Sequence, residues 1–157
     1  MADLGLVRPF RVMTLPAFLS KLGFHQIALS RSGVGHFHAD DSLSGHPVAV
    51  LIDTGAASTV VSLSLARELR LTLTKLEMKG GGAGGAHLDI FQLADATLSL
   101  GDVRPRARAL LAMDLAHVSQ SLALKGEAPV DVILGADVFE AQAAVIDYGS
   151  SSLFLKV

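Results

Sequence analysis

Short apolar runs separated by turn signals fill this chain from Phe24 to its end, and few long helical patterns interrupt them, so the sequence predicts a mainly β domain. Phe24 to Leu29 and Val34 to Ala39 read as strands around an Arg31-Ser32-Gly33 turn. Asp40 to Gly45 reads as a polar, Gly-ended connection into Pro47 to Ile52, a run that is apolar on both faces and therefore a buried strand. Leu71 to Lys79 alternates, and His87 to Leu93, Ala96 to Leu100, Val103 to Ala112 and Val130 to Leu134 follow as strands. Ala143 to Ile146 and Leu153 to Val157 close the chain as a hairpin around Tyr148-Gly149-Ser150. The helices are short: Pro16 to Leu22, Leu63 to Arg70 behind a Ser62 cap, a turn or two through Leu115, Val118 and Leu122, and Asp137 to Gln142.

At 157 residues the chain is one domain's length, and a domain of that size buries about two thirds of the surface its unfolded form exposes. It contains no Cys, which excludes disulfides, zinc ribbons, thiol nucleophiles and iron-sulfur ligation. A formal net charge of -2 leaves no electrostatic footprint for nucleic acid or an anionic membrane. No apolar run approaches the roughly 20 residues of a membrane span, so a soluble chain is expected. Arg8 and Arg11 precede the apolar stretch Val12 to Leu19 as in a leader, but Pro16 interrupts it and no small-residue cleavage site follows. A cytoplasmic location is therefore preferred over a periplasmic one.

The informative site is Val50-Leu51-Ile52-Asp53-Thr54-Gly55-Ala56. An ionised Asp at the end of a wholly apolar strand is partly desolvated, and carboxylates in such places are usually functional. The plainer alternative is that Asp53 accepts backbone N–H groups and caps the turn after the strand.

The motif resembles the active-site sequence of retropepsin-like aspartic proteases, especially bacterial single-domain members, and later segments match that family in order. Asp53-Thr54-Gly55-Ala56 is similar to its catalytic Asp-Thr/Ser-Gly-Ala, and Ser62 to Leu71 to the helix that bacterial members carry next. Gly80 to His87, with five glycines in six positions from Gly80 to Gly85, sits where the family has its flap hairpin. Val132-Ile133-Leu134-Gly135-Ala136-Asp137 resembles the strand that crosses beneath the catalytic loop, and Val145 to Tyr148 with Leu153 to Leu155 resembles the closing hairpin.

The resemblance implies a retropepsin-type closed barrel with one or two short helices, an N-terminal helix and hairpin extension over residues 1–44, and a protease domain over residues 45–157. It implies Asp53 as the catalytic carboxylate, with Thr54, Gly55 and Ala56 supporting it. Gly82, Ala83, Gly84 and Gly85 would form the substrate-binding flap, and Leu134 and Gly135 the strand beneath the loop. The function implied is aspartic endopeptidase. Two like charges in one small site share a proton, so one carboxylate acts as general base on a water while the other polarises the substrate carbonyl. The chain holds a single Asp-Thr-Gly; the nearest second candidate, Asp147-Tyr148-Gly149, reads as a hairpin turn. A dyad therefore requires a homodimer, with an extended peptide or protein as the other partner. The alternative function is a non-catalytic dimerisation or peptide-binding module on the same fold. One departure from the family is Ala57, where relatives usually have Ser or Asp; Ser58 and Thr59 are the nearest hydroxyls.

Other constellations are weaker. His36-Phe37-His38-Ala39-Asp40 is similar to the His-x-His-x-Asp motif of metallo-β-lactamase-like hydrolases, since imidazoles two apart on a strand share a face and can share a zinc. Asp41 stands where that motif needs His, the chain is short for that fold, and Phe37 with Ala39 explains the alternation as one buried and one wet face. No metal and no cofactor are expected. Arg104, Arg106 and Arg108 read as a solvated strand face, and the glycine run lacks the Lys-Ser/Thr ending of a phosphate loop.

Overall fold

A computed structural model describes residues 12–80 and 88–157. The glycine-rich positions Gly82, Ala83, Gly84 and Gly85, expected to form the flap, lie outside the described residues. The helix α1, Leu15–Lys21, begins where the Thr14 hydroxyl accepts the Ala17 N–H at 3.4 Å, with Pro16 in its first turn where no amide partner is needed. It leads into β1, Phe24–Ala28.

β1 pairs with β12, Ser152–Lys156, which pairs on its other side with β11, Val145–Asp147, to make a three-stranded sheet. The remaining strands form one larger sheet: β2 Ser30–Arg31, β3 Phe37–Leu43, β4 His46–Ile52, β5 Val60–Ser62, β6 Leu73–Gly80, β7 Leu88–Leu93, β8 Leu98–Ser99, β9 Leu111–Met113 and β10 Val132–Leu134. Its order is β2-β3-β4-β10-β5-β9-β7-β6, with β8 beside β3. The mainly β, retropepsin-type fold expected from the sequence is present, but among the described residues this sheet does not close as a barrel. The second sheet takes β1, β11 and β12 out of the path, leaving β2 and β6 as its ends. Four short helices are present among the described residues, α1 together with α2 Leu63–Glu68, α3 Ala116–Ala123 and α4 Ala136–Ala141, at the four places read from the sequence and more than the one or two the resemblance implied.

β4 and β5 are consecutive in sequence yet are not neighbours. β10 is inserted between them, parallel to β4 and antiparallel to β5. All three of its residues are buried, and Val132 and Leu134 lose all contact with solvent, each burial worth about 1.5–3 kcal/mol. The segment joining β4 to β5 must therefore arch over the end of β10, and that segment is Asp53 to Thr59. The two faces of the sheet carry separate cores. Val50, Val61, Val132 and Leu134 belong to the larger, with Leu153 and Leu155 of β12. Leu51, Val60 and Ile133 belong to the smaller, covered by Leu115 and by Leu122 of α3.

Two expected elements differ. Asp40 to Leu43 is strand, because Phe37, Ala39 and Leu43 keep one face of β3 buried through the polar stretch, and the turn shrinks to Ser44 and Gly45, both at positive φ as a two-residue hairpin requires. Val103 to Ala112 is strand only from Leu111 onward. The Arg106 N–H donates to the buried Gln142 Oε1 at 2.7 Å instead of to a sheet ladder, and its guanidinium donates to the Lys156 carbonyl at 2.9 Å. Arg104, Arg106 and Arg108 are all exposed, and Arg106 in addition tethers this stretch to β12. The closing hairpin docks on the larger sheet through Tyr148, whose ring meets Phe37 edge-on at 4.7 Å beneath the Arg31 guanidinium.

Candidate active site

Asp53 follows the last residue of β4, and its N–H donates to the Leu134 carbonyl at 3.1 Å, so the β4–β10 pairing continues up to the motif itself. Its carboxylate Oδ1 accepts the Gly55 N–H at 2.8 Å, and its carbonyl accepts the Ala56 N–H at 3.2 Å. These bonds fold Asp53-Thr54-Gly55-Ala56 into a tight turn that leaves Thr54 and Gly55 exposed and Asp53 half-buried. A Cβ at Gly55 would lie 3.2 Å from Asp53 Oδ1, so the missing side chain keeps that oxygen approachable. The turn-capping alternative is therefore satisfied by one carboxylate oxygen, Oδ1.

The loop is fixed from below. Gly135 passes so close that a Cβ there would meet the Ser58 carbonyl carbon and oxygen at 2.6 Å and the Ala56 oxygen at 2.9 Å. The Ala136 N–H donates to that Ala56 oxygen at 2.8 Å. Thr59, fully buried, completes the lock: its hydroxyl accepts the Gly135 N–H at 3.1 Å and donates to Asp137 Oδ1 at 2.8 Å. The one proton of the Thr59 hydroxyl is thus committed to Asp137 at the start of α4 and cannot also be given to the Asp53 loop. Asp137 Oδ2 is buried and has no hydrogen-bond partner among the described residues. Asp137 was visible in the sequence only as the end of a motif; its pairing with Thr59, 78 residues away, is a tertiary fact.

The structure brings Asp53, Thr54, Gly55, Ala56, Leu134 and Gly135 together in one place. Asp147 is not part of it. Its Oδ1 accepts the Gly149 N–H at 2.9 Å and its Oδ2 the Ser150 hydroxyl at 2.6 Å, which caps the β11–β12 turn. Those two hydrogen bonds, the Ser150 one first, hold its carboxyl below the usual carboxylate range.

A half-exposed carboxylate on a glycine turn, locked over a hydrophobic-hydrophobic-Gly strand, defines a retropepsin-like aspartic protease fold. The model of the Aspartyl protease family matches residues 41–138, more than half of the chain, and the chain belongs to that family. Among solved structures it is similar to a retropepsin-like aspartic protease from Rickettsia conorii, with a TM-score of 0.52 and 18% identity over 84% of this chain and 90% of that one. It is also similar to the retroviral protease-like domain of Ddi1 from Leishmania major, with a TM-score of 0.51 and 15% identity over 75% of this chain and 86% of that one. At these identities the likeness is one of fold. No curated protein matches the chain.

Proposed function

We propose that this chain is an aspartic endopeptidase that works as a symmetric homodimer, with Asp53 of each copy supplying one half of a shared-proton dyad. The observation that carries this reading is the Asp53 turn: a carboxylate at the end of a buried strand, half-exposed between exposed Thr54 and Gly55, on a loop fixed by Thr59 and Gly135. One carboxylate of the pair takes a proton from water, which attacks the peptide carbonyl, and the protonated partner donates to the carbonyl oxygen. A rigid loop keeps both oxygens in place without reorganisation during the step. Residues 45–157 carry this unit, and residues 1–44 are an N-terminal extension whose strands complete its sheets. The partner substrate is an extended peptide, and no nucleic acid or membrane partner is invoked; no helix of the described residues is long and apolar enough to cross a membrane.

The second copy does not join through β12 as a free edge, because β12 is paired on both sides. Among the described residues the open edges of that sheet are those of β1 and β11. The deciding experiment is cleavage of an unstructured protein by the wild type and by Asp53→Asn. Asn keeps the shape and an oxygen for the Gly55 N–H but cannot act as the base, so turnover should fall at least about a hundredfold with the fold retained. Equal turnover in the variant overturns the reading. Peptide binding without cleavage by the wild type indicates the non-catalytic module instead.

A further inference from the structure

The outward face of β3 carries a cluster that the protease reading does not use. His38 on β3 and His36 immediately before the strand stand two apart, while Phe37 and Ala39 between and after them are buried in the core. Glu127 reaches them from the loop after α3, 91 residues beyond His36. Its carboxylate lies 3.1 Å from His36 Nδ1 and 3.4 Å from His38 Nε2, and the three ligand atoms all fall within 4.8 Å of one another. The Glu127 side chain is only 5% exposed, and the Ser32 hydroxyl orients it with a 2.9 Å hydrogen bond to Oε1. Burial opposes its ionisation, but hydrogen bonds from His36, Ser32 and His38 and the charge of His36 outweigh that and hold the carboxyl below its ordinary range.

We infer that His36, His38 and Glu127 form a binding site for a zinc-class divalent cation, independent of the Asp53 chemistry. Two imidazoles and one carboxylate are a known zinc donor set, and tetrahedral bonds of about 2.0–2.1 Å place neighbouring donor atoms about 3.3–3.4 Å apart. The two nitrogen-to-carboxylate separations, 3.1 and 3.4 Å, lie within about 0.3 Å of that spacing. The third edge, between the two imidazole nitrogens, falls within 4.8 Å and would shorten as the 38% exposed His36 side chain adjusts to the ion. Ser32 does for Glu127 what outer-shell partners do in metal sites, holding the ligand's orientation. Each imidazole carries two ring nitrogens, so the one facing the carboxylate can serve as the ligand with the proton on the other. His38 and Glu127 also line a cleft of about 370 Å³ with Asp40 and Ser30, which gives the ion an entry path and room for a water as fourth ligand. Occupancy would tie the loop that feeds β10 to the β2–β3 turn. The histidine pair is legible in the sequence as able to share a zinc, but Glu127 is not, because the His-x-His-x-Asp reading seeks its third ligand on the same strand.

The test is a titration of zinc into the chelator-treated full-length chain, followed by calorimetry and by competition with a chromogenic indicator. One equivalent should bind per chain, and Glu127→Gln and His38→Gln should each weaken it at least about tenfold. His36→Gln, at the most exposed ligand, should do the same and serves if the more buried variants do not fold. Zinc should also raise the wild-type melting temperature, since an ion bound only by the native state stabilises it. Absence of saturable binding overturns the proposal, as does a site whose affinity these substitutions leave unchanged or a melting temperature that zinc does not move.

Discussion

The Thr59 hydroxyl donates to Asp137 at 2.8 Å from a position with no solvent contact, and the same oxygen accepts the Gly135 amide. Thr59→Val keeps the shape but leaves the Gly135 N–H buried without a partner and strips Asp137 of this bond. Each buried polar group left unpaired costs about 1–3 kcal/mol. Chemical denaturation should therefore show a loss of about 2–6 kcal/mol, two such groups being involved. A loss below half a kcal/mol would mean that the loop is held chiefly by packing.

Gly135→Ala tests the same junction by sterics. The new Cβ meets main-chain atoms of Ser58 at 2.6 Å, and backbone cannot swing aside as a flexible side chain does. Overpacking of this kind costs about 1–3 kcal/mol or more, and the strain falls on the Asp53 loop. Both stability and peptide cleavage should drop, measured by thermal melting and by turnover at a temperature where the variant is still folded. An Ala variant with full turnover and an unchanged melting temperature would show that the loop does not sit this close to β10 in solution.

Why some of this was legible in the sequence and some was not follows from the range of the interactions. β4 from Val48 onward and the whole of β10 announce themselves because both faces are at least half-buried there and every position is apolar; the Asp53 turn announces itself because Asp and Gly two apart form a local hydrogen bond. Strand β3 was cut short on the sequence because Asp40, Asp41 and Ser42 look like a loop, although Leu43 continues the buried face and the Asp41 carboxylate accepts the Gly101 N–H. The stretch after Val103 reads as strand because nothing local says that Arg106 will bond to Gln142, 36 residues away. Glu127 and Asp137 are of the same kind: each gains its role from a partner that only the fold supplies.

Asp147 supplies a pH-dependent prediction. Its folded-state carboxyl is held below the ordinary value of 3.8 by the Ser150 and Gly149 hydrogen bonds, so its contribution to stability is fully present above that value and is lost as pH falls through the lower folded one. Asp147→Asn removes the titration. Melting temperatures of the two proteins should differ by a constant amount from neutral pH down to about pH 5, and the gap should narrow below about pH 4. A gap that stays constant through that acid range would show that the turn does not discriminate between the two protonation states.

The dimeric dyad makes a prediction that no monomeric mechanism shares. If each active site takes one Asp53 from each of two chains, a single Asp53→Asn chain silences any dimer it enters. Wild-type and variant chains mixed in equal amounts and allowed to exchange form wild-type homodimers in about one quarter of the dimers, by random pairing about a two-fold axis. At fixed total protein the rate should fall to about one quarter of the wild-type value, whereas independent monomers would give about one half. The variant differs from the wild type by one side-chain atom on a partly exposed turn, so unequal pairing is not expected to disguise the result. The measurement is the initial rate of peptide cleavage across a series of mixing ratios at a concentration where light scattering reports dimer throughout. A rate that follows the square of the wild-type fraction supports the shared dyad, and a rate linear in that fraction places the whole catalytic apparatus within one chain.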